Sequence, residues 1–185
     1  MHKFFLPDIK MSSFPTWVWI LSLAHAATQT YYTLPFSISY LAGYDTLPSH
    51  YSFCMCLFMG HIALDSLLHW KKLMFSMKVH HVITFTTAVF NYTQGYPEPA
   101  MVLLANETST IFYSASKLLP PVLPRRVCRN LFAVSFFATR LVMNFLLMLK
   151  EDAPLTTTER RALAALLVLN TYWFGKGLLS SKRAA

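Results

Sequence analysis

The sequence predicts an all-α polytopic membrane protein with six transmembrane helices. Three observations carry this. The 185 residues are 55% hydrophobic and only 13% charged, more apolar surface than one soluble core of this length can bury. Apolar runs of about 20 residues, enough to cross a bilayer, recur along the chain. The basic residues lie between those runs instead of within them. Length gives a prior of one domain, here residues 1–185.

Residues 1–12 are a short polar-basic lead. The first span is expected over 14–36. It outruns the apolar region of a secretory signal, lacks a small-residue cleavage site, and carries Trp17 and Trp19 as interfacial anchors. A turn-rich connection holds Gly43, Asp45 and Pro48, and a second span covers 51–69, closed by Trp70, Lys71 and Lys72. Spans three and four, over 77–92 and 99–118, are joined by a short turn at Gly95–Pro97. Pro120, Pro121 and Pro124 interrupt any helix, because proline removes a donor and crowds the preceding turn. Arg125, Arg126 and Arg129 introduce the fifth span, 131–149. Thr156, Thr157, Thr158 and Glu159 read as a helix start with a hydroxyl cap and an acid in the first turn. The sixth span, 163–179, stops at Lys182 and Arg183.

The net charge of +8 reads as topology. An even number of spans puts both termini on one side, together with Lys3, Lys10, Lys71, Lys72, Lys78, Lys117, Arg125, Arg126, Arg129, Lys176, Lys182 and Arg183. The other side holds only Lys150, Arg160 and Arg161, with Arg140 inside the fifth span. Lysine and arginine collect on the cytoplasmic side, so both termini are expected in the cytosol. The same scatter excludes a nucleic-acid footprint. Cys54, Cys56 and Cys128 lack metal-ligand spacing and read as free, buried thiols. The sequon at Asn91 hugs the membrane on the lumenal side, and the one at Asn106 falls within a span. Lys182-Arg183 near the C-terminus reads as a degenerate endoplasmic-reticulum retrieval signal or as an ordinary cytosolic anchor.

Ionisable groups inside apolar spans are expensive and turn toward a bundle interior or a wet cavity. At a rise of about 1.5 Å per residue, Asp65 and Asn170 lie roughly 9 Å inside the cytosolic boundary, and His80 and His81 roughly 3–5 Å. Glu107, Arg140 and His61 all reach roughly 15–16 Å on the same scale. Glu107 and Arg140 are therefore natural partners, either as structural glue or as part of a cytosol-facing polar pocket. Thr110, Ser114 and Lys117 follow Glu107 at helical spacing as a polar stripe. Plainer readings stand beside these. Ser109 and Asn170 suit interhelical hydrogen bonds, His25 and His61 suit satisfied core histidines, and His80-His81 suits an interfacial cap of the third span.

Val79-His80-His81-Val82 resembles the histidine doublet of the TLC-domain family, which includes ceramide synthases, translocating-chain-associated membrane proteins and the smaller TLC domain-containing proteins. Asp65 lies upstream in the preceding span. Glu107-Thr108-Ser109-Thr110-Ile111-Phe112 looks like the E-x-S-T-x-F stretch of the smaller members, and Leu169-Asn170-Thr171-Tyr172-Trp173-Phe174 resembles their L-N-x-Y-W-F ending. The resemblance implies a six-helix membrane barrel with a central polar cavity, in the endoplasmic reticulum, acting in lipid metabolism or membrane lipid homeostasis. Ceramide synthases hold paired aspartates where this chain has Glu107 and Ser109, and some carry a homeobox-like extension that this sequence lacks.

The leading expectation is a lipid-handling membrane protein of acyl-chain or sphingolipid type, with membrane lipids as partners and no bound cofactor or metal. A metal site of His61, Asp65, His80 and His81 matches no strong motif. The alternative is an acyltransferase of ceramide synthase type, with acyl-CoA as co-substrate and a long-chain base as acceptor. There His80 and His81 act as general base or acyl carrier, Asp65 orients them and Glu107 positions the acceptor. His61, Ser109, Arg140 and Asn170 would then line the substrate pocket. A third reading, a secretory-pathway adaptor or chaperone, rests on other family members alone.

Overall fold

A computed structural model describes residues 14–44, 49–71, 73, 75–95, 97–119, 123–151 and 153–182, with the side chains of 123–126 and 177–182 outside the description. The N-terminal lead, Asp45, Pro48, Lys72, Pro120, Pro121, Asp152 and Arg183 therefore lie outside it as well. The described residues are helical throughout: α1 (Thr16–Leu41), α2 (Tyr51–His69), α3 (Phe75–Gln94), α4 (Pro97–Leu104) and α5 (Glu107–Leu118). α6 (Leu123–Phe136) continues through a π-helical segment (Phe137–Met143) into α7 (Asn144–Leu149), and α8 is Thr157–Lys182.

The local chemistry explains most boundaries. α3 ends where Gly95 turns to φ +72, a left-handed conformation that glycine adopts without a Cβ clash. Pro97 then opens α4 at the position where its missing N–H would have had no partner. α8 opens with a capping box: Thr156 N and Oγ1 both donate to Glu159 Oε2 at 2.8 Å, and Glu159 N donates back to Thr156 Oγ1 at 3.2 Å.

Four expectations need correction. The fourth run is not one helix, because it breaks at Ala105–Asn106, where Asn106 N turns back to Leu103 O at 3.2 Å. α1 continues past residue 36 to Leu41, carrying Pro35 in its interior. Pro124 does not interrupt a helix but sits in the first turn of α6, where the backbone donors have no intrahelical acceptor to lose. Of the three free cysteines only Cys54 is buried, while Cys56 is exposed and Cys128 intermediate. Two residues of helix turn the side chain about 200° away from its predecessor, so Cys54 and Cys56 cannot share a face.

The helices close into a ring. α1 packs on α2, α2 on α3, α3 on α8, α8 on the π segment and α7, α6 on α5, and α5 back on α1. α4 is the exception: it touches α1, α2, α3 and α7 and so plugs one end of the ring. Its Pro99, Ala100, Met101, Val102 and Leu104 are buried, within a core that includes Phe36, Met55, Phe58 and Leu147. Ser37 Oγ donates to Met101 O at 3.2 Å, and Gln29 Nε2 to Cys54 O at 2.7 Å, fastening α1 to α4 and α2. Asn91, the lumenal sequon, is buried with its Nδ2 donating to Thr87 O at 2.8 Å.

The packing is inside-out relative to a soluble bundle. His25, Gln29, Thr33 and Ser37, spaced by four along α1, are all buried, while Tyr31, Leu67, Phe75 and Val168 face outward at 72–82% exposure. Among the described residues Tyr51–His69 and Val127–Leu149 are long and apolar enough to cross a membrane. α1 and α8, at 26 residues each, reach about 39 Å at about 1.5 Å per residue.

Replacing Thr156 with alanine removes the hydroxyl half of the capping box. Thermal unfolding in detergent should show a loss of about 1 kcal/mol, with Thr156→Ser close to wild type.

Candidate functional site

The open end of the ring holds a cavity of about 180 Å³. Each wall helix contributes by its own period. α2 presents His61, Asp65 and His69 at four-residue intervals on one face. α3 contributes His80 and His81, α5 contributes Glu107, Thr110 and Tyr113, and α8 contributes Trp173. Phe132, Phe136 and Arg140 descend one face of α6 into the π segment. Phe14, Leu73 and Met77 sit at the helix ends and form an apolar rim. Glu107 lies eleven residues before the end of α5, about 16 Å deeper. The cavity is thus apolar at its mouth and polar at its floor.

Arg140 organises the floor. The π segment inserts an extra residue per turn and leaves a backbone carbonyl to be satisfied otherwise. Asn144 Nδ2 takes that role, donating to Arg140 O at 3.1 Å. Both Thr139 and Arg140 are buried as a result. The guanidinium donates from Nε to Ser109 Oγ at 3.0 Å and from Nη2 to Thr110 Oγ1 at 3.4 Å. Its Nη2 lies 3.8 Å from Glu107 Oε1, and the group stacks 5.4 Å over Phe136. Glu107 is the first residue of α5, where the positive end of the helix dipole also favours a carboxylate. The break at Ala105–Asn106 is what puts it there.

The two histidines of the doublet differ. His81 is held at both nitrogens, with Ser66 Oγ 3.1 Å from Nδ1 and Asp65 Oδ2 3.6 Å from Nε2. Asp65 is itself fixed through Oδ1 to His69 Nδ1 at 2.8 Å. Neutral imidazole carries one N–H. A carboxylate at Nε2 therefore places that proton on Nε2 and leaves Nδ1 to accept from Ser66. His80 meets only Thr84 Oγ1, at 3.5 Å from Nδ1, and packs edge-on against Trp173 at 5.4 Å. His80 is thus the histidine with a ring nitrogen left for a ligand.

Six of the eight site residues picked from sequence border this one cavity: His61, Asp65, His80, His81, Glu107 and Arg140. Ser109 lies behind Arg140, wholly buried, and Asn170 borders a smaller chamber that also touches His80, Glu107 and Arg140. Ser114 turns from the expected polar stripe to donate to Ser22 Oγ at 3.0 Å, and Lys117 lies 5.1 Å over the Tyr113 ring. His25 is not a satisfied core histidine. It is buried and stacks on His61 at 3.9 Å, but neither ring nitrogen has a partner among the described residues. Ring faces pack well there, while the polar edges stay unmatched. Sequence reasoning gave no role to His69, Ser66 or Trp173. The four-residue step from Asp65 to His69 was a usable signal; Ser66 had none. Among the described residues, no three His, Cys, Asp or Glu side chains converge as metal ligands.

The family model described as TLC domain matches residues 11–178. The chain belongs to the TLC-domain family, which is generally membrane-associated and lipid-related. No curated protein and no solved structure matches it.

Removing one member of a buried ion pair strands the other charge. Glu107→Gln and Arg140→Met should each destabilise by about 3–5 kcal/mol. The double variant should be less damaged than the sum of the two, as a thermal-melt double-mutant cycle would read directly.

Proposed function

We propose that this is a multi-pass membrane protein of lipid metabolism or membrane lipid homeostasis that takes an amphipathic lipid of acyl-chain or sphingolipid type into the cavity. One observation carries the reading: titratable side chains from four walls converge on a floor beneath an apolar rim. Such a container matches a molecule with a polar head and a long chain, since the chain exchanges water for aromatic and aliphatic contact while the head meets the floor. The outward-facing Leu67, Phe75 and Val168 support a bilayer around the ring, because contiguous exposed apolar surface of this kind marks a membrane or partner contact. The distribution of lysine and arginine supports cytosolic termini, with the cavity mouth on the cytosolic side. The endoplasmic reticulum is the expected membrane.

A second reading is favoured by the difference between the histidines. In acyl transfer from acyl-CoA to an amine or hydroxyl, His80 is the group placed to act. It takes the acceptor's proton as the acceptor attacks the thioester carbonyl, the C–S bond breaks, and the proton passes to the departing thiolate. His81, clamped by Ser66 and Asp65, holds its neighbour's surroundings in place. The acceptor class is an amine such as a long-chain base. Ceramide synthesis itself has the weaker support, because Ser109 is bonded to Arg140 and the only carboxylate there, Glu107, is shared with it.

The test is lipid profiling with acyl-CoA turnover on membranes holding wild type, His80→Ala, His81→Ala and Glu107→Gln. Under the acyl-transfer reading, His80→Ala abolishes turnover while the protein stays in the membrane; turnover retained in that variant rules it out. A lipid profile shifted by wild type without turnover leaves the lipid-handling reading alone. An unchanged profile in every case overturns both.

A further inference from the structure

Beneath the main cavity lies a second chamber of about 20 Å³, room for a single water-sized group. His80, Glu107 and Arg140 border both spaces and form the wall between them. The rest of its polar lining is Thr84 and Thr87 of α3, Asn106 at the break before α5, and Asn170 of α8. Asn106 Oδ1 and Asn170 Oδ1 are buried and have no hydrogen-bond partner among the described residues; Asn170 is 1% exposed. Buried acceptors are rarely left so.

We propose that this chamber is a subsite for a hydrogen-bond-donating head group, the hydroxyl or amine of a lipid whose chain lies in the main cavity. The inference rests on the lipid-cavity reading above and narrows it to a class of lipid. Three features carry it. The unmatched groups are acceptors, so the occupant must donate. Glu107 already faces Arg140, and Arg140 is engaged with Ser109 and Thr110, so the wall between the chambers is largely self-paired. The volume admits an O–H or a primary amine and excludes a phosphate. A carboxylate would set its own acceptor oxygens against the two amide oxygens, which is repulsive. The direction also fits, because the main cavity is apolar at its rim and polar at its floor, so an entering lipid points its head toward this chamber.

The discriminating experiment measures binding to the full chain in nanodiscs for four single-chain probes: hexadecanol, hexadecylamine, hexadecanoate and hexadecyl methyl ether. The ether keeps the chain and an oxygen but donates no hydrogen bond. The alcohol or the amine should bind about tenfold more tightly than the ether and the carboxylate, the penalty of leaving buried acceptors unpaired. Comparing the alcohol with the amine identifies the donor. Asn170→Leu should bring the donor probe down to the ether's affinity and leave the ether unchanged; Asn106→Leu gives the same reading should Asn170→Leu fail to fold. Equal binding of all four heads, or a preference that survives both variants, overturns the inference while leaving the lipid cavity standing. Binding of none of them overturns both.

Discussion

A guanidinium held away from water must find partners for its donors and its charge, and much of the cavity floor follows from how Arg140 does so. Its carbonyl is satisfied by Asn144 through the π segment, its Nε by Ser109, and its charge by Glu107 across the cavity floor. Each partner constrains a different piece of chain. The π segment turns Arg140 inward, the break at Ala105–Asn106 brings Glu107 to the start of α5, and Ser109 anchors the first turn of that helix. A straight fourth helix and a straight fifth helix would lack these local devices for presenting the pair. Departures from regular helix are where the functional geometry is made, as is common for π segments.

The same constraint divides the histidine doublet. Adjacent residues on a helix point about 100° apart, so His80 and His81 cannot face the same surroundings. His81 turns to α2 and is fixed there by the Ser66–His81–Asp65–His69 chain of contacts. His80 turns to α8 and Trp173 and stands between the main cavity and the inner chamber. One histidine is immobilised and the other is left available. This arrangement suits a site that must orient a ligand and still exchange a proton with it.

The bundle's polarity inverts that of a soluble protein, and α1 shows this most clearly. His25, Gln29, Thr33 and Ser37 form a buried stripe, while Ile20, Leu21, Tyr31 and Ile38 face out. Hydroxyls along the stripe bond back to the preceding turn, as Thr33 does to Gln29 O at 2.8 Å and Ser37 to Thr33 O at 2.6 Å. They carry polarity into the core without leaving donors unmatched. In apolar surroundings small polar side chains can line a helix–helix contact in this way.

The sequence by itself determined the elements and the inventory of the site. Composition and run length set the all-helical class. The run at 51–69 was legible to the residue as α2, because its apolar residues and its closing Trp-Lys boundary are local signals. Depth counting along separate helices brought Glu107 and Arg140 to one level, since rise per residue is the same in every helix. Only the tertiary structure decided the rest. Helix phase fixed which of two adjacent histidines, and which of two nearby cysteines, faces inward. The break before Glu107 and the π segment at Arg140 arise where packing and buried charge override regular hydrogen bonding. Ser66 and His69 became parts of the site only when α2 met α3. These are pairings between residues distant in the chain, and neither period nor propensity encodes them locally.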